Sequence, residues 1–197
     1  MKAARTTAAL SLLLALAGCA GPSGSGGSAA PSRPAPATGS PSPLSAPADP
    51  TDAAWVQLMT PMNEQAVALL ALAPDRSADP RVRAWAAALR SAQNRELARL
   101  RPLLALMGLP DTNVHEGHTM PGMVTGPDLA RARTLSGHAF DRLLVTLIRA
   151  HLRQSSQVSR SETTAGTRSD ARRLAGGLVA ARTAELARLP GLSEGSG

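Results

Sequence analysis

Between residues 51 and 190 the apolar positions return at steps of three and four, the spacing that lines one face of an α-helix. Over Asp52 to Leu72 the stripe is Trp55, Leu58, Met59, Met62, Ala66, Leu69 and Leu70, which predicts an amphipathic helix. A second helix is predicted to open with Asp79 as N-cap and Pro80 at the first helical position, where a missing N–H costs nothing. Its stripe runs Val82, Trp85, Leu89, Ala92, Gln93, Glu96, Leu100, Leu103 and Met107, and Pro102 should kink or end it. Gly108 to Gly126 holds Gly, Pro, Asp, Asn and His at loop density, and Pro127 can start a short helix to about Leu135. A third long helix, Ala139 to Ser159, carries Phe140, Leu143, Leu144, Leu147, His151, Ser155 and Val158 on one face. A fourth, Ser169 to Leu189, carries Leu174, Leu178, Ala181, Arg182, Glu185 and Leu189. Four amphipathic helices with one long connection between the second and third predict an all-α, four-helix bundle. The two halves resemble each other, since Glu96-Leu97-Ala98-Arg99-Leu100 recurs as Glu185-Leu186-Ala187-Arg188-Leu189, which indicates an internal duplication.

Composition supports helices: 43% of the 197 residues are hydrophobic, mostly Ala and Leu, and only 2% are aromatic, so a sheet core is close to excluded. The ends of the chain read differently. Lys2 and Arg5 precede a short apolar run from Ala8 to Leu16, followed by Leu16-Ala17-Gly18-Cys19, the layout of a secretory signal peptide over residues 1–18. The Leu-Ala-Gly-Cys ending resembles a bacterial lipobox, which implies diacylglyceryl attachment to Cys19 after cleavage and a lipid anchor on the extracytoplasmic face of the cell membrane. Cys19 is the only cysteine, so no intrachain disulfide can form. Residues 19–50 are nearly all Gly, Ser, Pro, Ala and Thr and are expected to be a disordered tether, with the folded part at 51–190 and a short tail at 191–197.

The formal charge is +7, and loss of residues 1–18 leaves 19 basic against 14 acidic residues, or +5. Arg supplies all the basic residues but Lys2, and along the sequence it looks scattered instead of gathered in a stripe. With only three aromatics available to stack on bases, no nucleic-acid partner is expected.

Polar groups fall on the apolar stripes at Gln93, Glu96, His151, Arg182 and Glu185. Buried charge is costly unless paired or bound to metal. Either an internal ion-pair and hydrogen-bond network or an interior metal site accounts for them. The long connection holds a second cluster, His115-Glu116-Gly117-His118-Thr119-Met120-Pro121-Gly122-Met123, with His138 downstream. Imidazole and thioether donors together suit a soft or borderline ion, copper above all. The alternative is a Gly-rich loop whose Met side chains pack over the open end of the bundle.

The helical segments and this connection resemble the exported, His-rich bacterial proteins grouped as domain of unknown function 305. The resemblance spans residues 52–190. It rests on Met59-Thr60-Pro61-Met62-Asn63-Glu64-Gln65-Ala66, which stands for a Met-x-x-His-His-x-x-Ala motif, and on the Gln93-x-x-Glu96 partner motif. It rests also on Met120-Pro121-Gly122-Met123 between the halves and on the Gly137 to Asp141 entry to the second. The resemblance implies a ferritin-like bundle. This chain departs from the pattern where Met62 and Asn63 replace paired His, where Ala150-His151 keeps one His of two, and where Arg182 replaces the Gln ahead of Glu185. Some members are associated with copper, which implies His115, His118, Met120, Met123 and His151 as the retained candidate ligands. No nucleophile triad, Gly-rich phosphate loop or Glu-x-x-His set is present, so no enzyme is expected. The function expected is a membrane-anchored protein that binds or buffers copper, with a structural or interaction module for another envelope protein as the alternative.

Overall fold

The computed structural model describes residues 49–193. The expected leader, Cys19 and all but the end of the tether lie outside them, as does the chain beyond Ser193. Six helices follow in order: α1 Pro50–Leu70, α2 Ala73–Arg76, α3 Pro80–Leu106, α4 Gly126–Thr134, α5 Gly137–Ala165 and α6 Ser169–Ser193. No strand occurs among the described residues. The long helices α1, α3, α5 and α6 form the predicted bundle: α1 packs on α3 and α5, and α6 packs on α5 and more lightly on α3.

Local chemistry sets the helix starts. The Asp49 carboxylate accepts from the N–H groups of Thr51 and Asp52, and Asp79 accepts from Arg81 N at 2.7 Å, so each satisfies amides that the helix leaves unpaired. Thr125 and Asp128 form a reciprocal capping box at α4. Buried Asp141 on α5 accepts from the backbone N–H of Ala78 and Asp79, which ties the α2–α3 connection to the second half.

Several boundaries differ from the sequence expectation. α2 is an added single turn. α5 runs to Ala165 instead of Ser159, and α6 passes Leu189 to end at Ser193. Pro102 neither ends α3 nor costs it much, because the carbonyl it strands, that of Ala98, lies on the solvent face where water can satisfy it. The arginines are also less scattered than the sequence suggested. Arg142, Arg149, Arg153 and Arg160 fall on one line along α5, because eighteen residues make five full helical turns and seven and eleven stay within 20° of whole turns.

The core has two apolar halves. One gathers Ala66, Leu69, Leu70, Trp85, Leu89, Phe140, Leu144, Ile148 and Leu152, among others. The other gathers Trp55, Met59, Met62, Leu97, Leu100, Leu104, Ala171, Ala175 and Leu178. All five methionines of the described chain belong to this second half, Met59, Met62 and Met123 buried in it and Met107 and Met120 packed against it. Between the halves every long helix contributes a buried polar side chain, and these make a belt across the middle of the bundle.

Candidate functional site

The belt is built from Asn63 of α1, Gln93 and Glu96 of α3, His151 and Ser155 of α5, and Arg182 of α6. Arg182, fully buried, holds it together. Its Nη1 donates to Glu96 Oε1 at 2.9 Å and its Nη2 to Glu96 Oε2 at 2.7 Å, a two-pronged pairing of guanidinium and carboxylate. Nη2 also donates to Asn63 Oδ1 at 3.1 Å, and Nε donates to Ser155 Oγ at 2.9 Å. Asn63 Nδ2 in turn donates to Glu96 Oε2 at 2.9 Å. Beside this cluster the Gln93 amide meets His151 Nε2 at 3.0 Å.

Of the two accounts open in the sequence, the internal network describes the belt. A metal cation does not fit there, because both oxygens of Glu96 are taken by a guanidinium that already supplies the positive charge. His151 responds to the same cation. Burial, with the Arg182 charge adding to it, lowers its pKa to about 3, although the backbone of Gly122 opposes the shift, so the imidazole stays neutral. Its Nδ1 lies fully buried without a well-formed hydrogen bond, as does Gln93 Oε1.

Glu185 is the correction to the expected set. It does not join the belt. It sits partly exposed, accepts from the Trp85 indole at 3.1 Å and pairs with Arg188 at 3.2 Å. The reason is electrostatic: Arg182, the one buried guanidinium among the described residues, is spent on Glu96, and a second carboxylate in the belt would have no cation to pair with.

The central loop lies over α5. Gly122 has φ +72°, and a Cβ there would meet the Ala150 carbonyl oxygen at 2.7 Å and the Gln154 Cβ closer still, so the Met-Pro-Gly-Met turn touches the helix backbone at the turn that carries His151. Alongside, a cavity of about 520 Å³ is walled by His115, Glu116, His118, Met123, Gln65 and Asn113, with Val124 and Thr125 at its edge. The structure therefore brings His115, His118 and Met123 to one cavity. Met120 packs instead against the methionine-rich half of the core, and His151 belongs to the belt beneath. His138 stands elsewhere, exposed, with Nδ1 3.8 Å from Asp141. Among the described residues no three His, Cys, Asp or Glu side chains gather as a cage. Two imidazoles and a thioether, with the Glu116 carboxylate as the one hard donor on the same cavity, are a set that fits soft Cu(I) better than a hard cation.

A buried acid pair escaped the sequence reading. The carboxyl groups of Asp52 and Glu162 meet beside Gly166, where the end of α5 turns over the start of α1. Thr167 N, Thr167 Oγ1 and Arg168 N all donate to Asp52, at 2.8 to 3.1 Å for the shortest contact of each. Burial alone would raise the Asp52 pKa, but the hydrogen bonds from Glu162, Thr167 and Arg168 outweigh it and hold the group below its usual range. Glu162 goes the other way. Burial, then the hydrogen bond to and charge of Asp52, push it up to about 8, and apart from Asp52 neither of its oxygens has a partner. The pair is thus one carboxylate and one neutral acid. Asp52 reads in sequence as an ordinary first-turn acid, and Glu162 lies past the expected end of its helix.

Comparison with known proteins agrees with this architecture. No curated protein matches the chain. A DUF305 protein from Streptomyces coelicolor, described as secreted, is 24% identical, superposes with a TM-score of 0.67 and covers 74% of this chain and 93% of its own. A DUF305 fragment from Deinococcus radiodurans is 22% identical, with a TM-score of 0.67 and coverage of 76% and 99%. CopM in its Cu(II)-bound form is 20% identical, with a TM-score of 0.62 and coverage of 73% and 96%. The sequence profile of domain of unknown function 305 matches residues 52–192, nearly the whole described bundle, and the chain belongs to that family.

Proposed function

We propose that this chain is an exported, non-enzymatic copper-binding protein of the cell envelope, held to the membrane by a lipid on Cys19 and taking Cu(I) at its central loop. The observation that carries the reading is that His115, His118 and Met123 line one open cavity, with Met120 two residues from His118 in sequence. Thioether sulfur favours Cu(I), and imidazole accepts either copper oxidation state. The relation to CopM, solved with Cu(II), and to a secreted DUF305 protein supports copper and export at the level of fold. The leader and the Leu-Ala-Gly-Cys box support the anchor.

The test uses residues 20–197, which keep every described residue and leave out the acylation site. Titrated against a chromogenic Cu(I) chelator, the chain should retain Cu(I) at least tenfold more tightly than a variant carrying His115→Ala, His118→Ala, Met120→Ala and Met123→Ala. Equal retention removes the copper reading. A second reading has its own support. With the interior belt sealed by Arg182 and only two imidazoles on the loop cavity, the bundle also suits a scaffold that contacts another envelope protein. Copper-free protein from the native envelope, with one partner crosslinked on intact cells, would favour it.

A further inference from the structure

Helix α5 carries six charged side chains other than histidine, and they are strictly segregated. Its two carboxylates, Asp141 and Glu162, are buried, whereas Arg142, Arg153 and Arg160, exposed, and Arg149, half-buried, lie along one line. The line is straight because the spacings of seven, four and seven residues keep phase with the helix, and it extends about 27 Å at 1.5 Å per residue. Thr146 and Gln157, neutral and exposed, fill the positions between. At its far end Arg153 and Arg160 flank a groove of about 360 Å³ shared with α6 and lined by Ser156, Gln157 and Leu186. Neither of these two arginines has an acidic partner among the described residues. By contrast, Arg101 on α3 is engaged by Glu64 and Asp111, and Arg168 by Asp170. Glu185 and Asp128 are also engaged elsewhere, Glu185 with Trp85 and Arg188, and Asp128 in the α4 cap.

We propose that this face of α5 docks on an anionic lipid surface, with Arg153 and Arg160 lying against the phosphate plane and the groove between them taking a headgroup. Guanidinium pairs with phosphate in a two-pronged geometry, and each basic side chain near an anionic leaflet adds a roughly equal increment of attraction. Two exposed guanidinium groups seven residues apart on one helix face, about 10 Å along its axis, match neighbouring phosphates of a plane better than they match one small anion. The proposal does not need the lipid on Cys19, since the surface would bind without it, and it is independent of copper.

The test is co-sedimentation of residues 20–197 with vesicles of phosphatidylcholine alone or mixed with phosphatidylglycerol, at low and high salt. Binding should require phosphatidylglycerol and weaken as salt rises. The Arg153→Gln, Arg160→Gln pair should weaken it roughly twenty-fivefold, from about fivefold per charge. The Arg90→Gln, Arg95→Gln pair on α3 removes the same charge from another helix and should leave binding within about twofold. Circular dichroism of both exposed-site variants checks that each stays folded. Equal loss in the two pairs would mean that net charge alone attracts the chain and would overturn the proposal. So would binding to phosphatidylcholine alone, competition by inorganic phosphate at equal phosphate concentration, or binding of duplex DNA in preference to the vesicles.

Discussion

Replacing Glu162 with Gln should change how stability depends on pH, and two buried groups set the shape of that dependence. Glu162 has a pKa raised from 4.5 to about 8 in the folded chain, so the native state holds a proton that the unfolded chain gives up. Its contribution is complete below about pH 4.5 and is lost as pH rises through about 8. His151 has a pKa lowered from 6.5 to about 3, so the unfolded chain holds the proton, and the contribution present above pH 6.5 is lost as pH falls toward 3. Between about pH 4.5 and 6.5 one proton is favoured in each direction and the two slopes cancel. Above pH 6.5 only Glu162 still titrates, and a slope near 1.4 kcal/mol per unit, reduced by water at the bundle end, costs about 1–2 kcal/mol by pH 8. Urea unfolding followed by Trp fluorescence is a direct assay, because Trp55 and Trp85 are buried in opposite halves of the core. The wild-type chain should be flat between pH 5 and 6.5 and weaken toward pH 8. The Glu162→Gln chain, with a neutral side chain of the same shape, should stay level from pH 6.5 to 8 and weaken below pH 6.5, where the His151 slope is no longer offset. If Glu162→Gln keeps the wild-type fall toward pH 8, the shared proton is not there and the reasoning fails.

Arg182→Met leaves the Glu96 carboxylate buried without a cation and should cost about 3–5 kcal/mol in urea unfolding; adding Glu96→Met should recover most of it, and failure to recover would show that the guanidinium acts by packing alone. Gly122→Ala places a methyl group against the α5 backbone at a positive φ and should cost about 2 kcal/mol or more, with amide exchange in the 112–125 loop rising more than in the helices. Trp85→Phe removes the indole N–H that Glu185 accepts and should cost about 1–2 kcal/mol, a loss that Glu185→Gln made first should shrink in a double-mutant cycle.

The bundle was legible because its helices carry three- and four-residue apolar stripes and open with Asp-Pro and Thr-Gly-Pro-Asp signals, all local features. Helix ends were less so. Ser155, Ser159 and Glu162 continue the inward face of α5 with polar side chains, so an apolar count stops near Ser159 while the helix runs to Ala165. Gln93, Glu96, His151 and Arg182 could be placed inside by phase alone. Which of them touch could not, because Arg182 and Glu96 are 86 positions apart and Asn63 and Arg182 are 119 apart. The Asp52–Glu162 pair depends on a meeting of chain segments 110 positions apart by residue number, for which neither residue carries a local signature. The α5 arginine line was present in the sequence but visible only in helical phase.

The two halves show how one differing side chain organises an interior. Both second helices of the halves carry Glu-Leu-Ala-Arg-Leu, so Glu96 and Glu185 begin as equivalents. The residue three before each differs, Gln93 in one half and Arg182 in the other. Gln93 pairs with His151 of the opposite half, and Arg182 pairs with Asn63 of the opposite half, a matched crossing of the bundle. The guanidinium is longer and charged, however, so it also reaches Glu96 and takes both its oxygens. That neutralises one carboxylate, leaves no interior cation for Glu185, and turns Glu185 toward Trp85 and Arg188. It also sets a positive charge beside His151, which adds to the effect of burial in keeping the imidazole neutral. A cation brought to this belt would meet a guanidinium already in place. Metal chemistry on this chain is therefore to be sought at the loop cavity, which His115, His118 and Met123 line without a guanidinium among them.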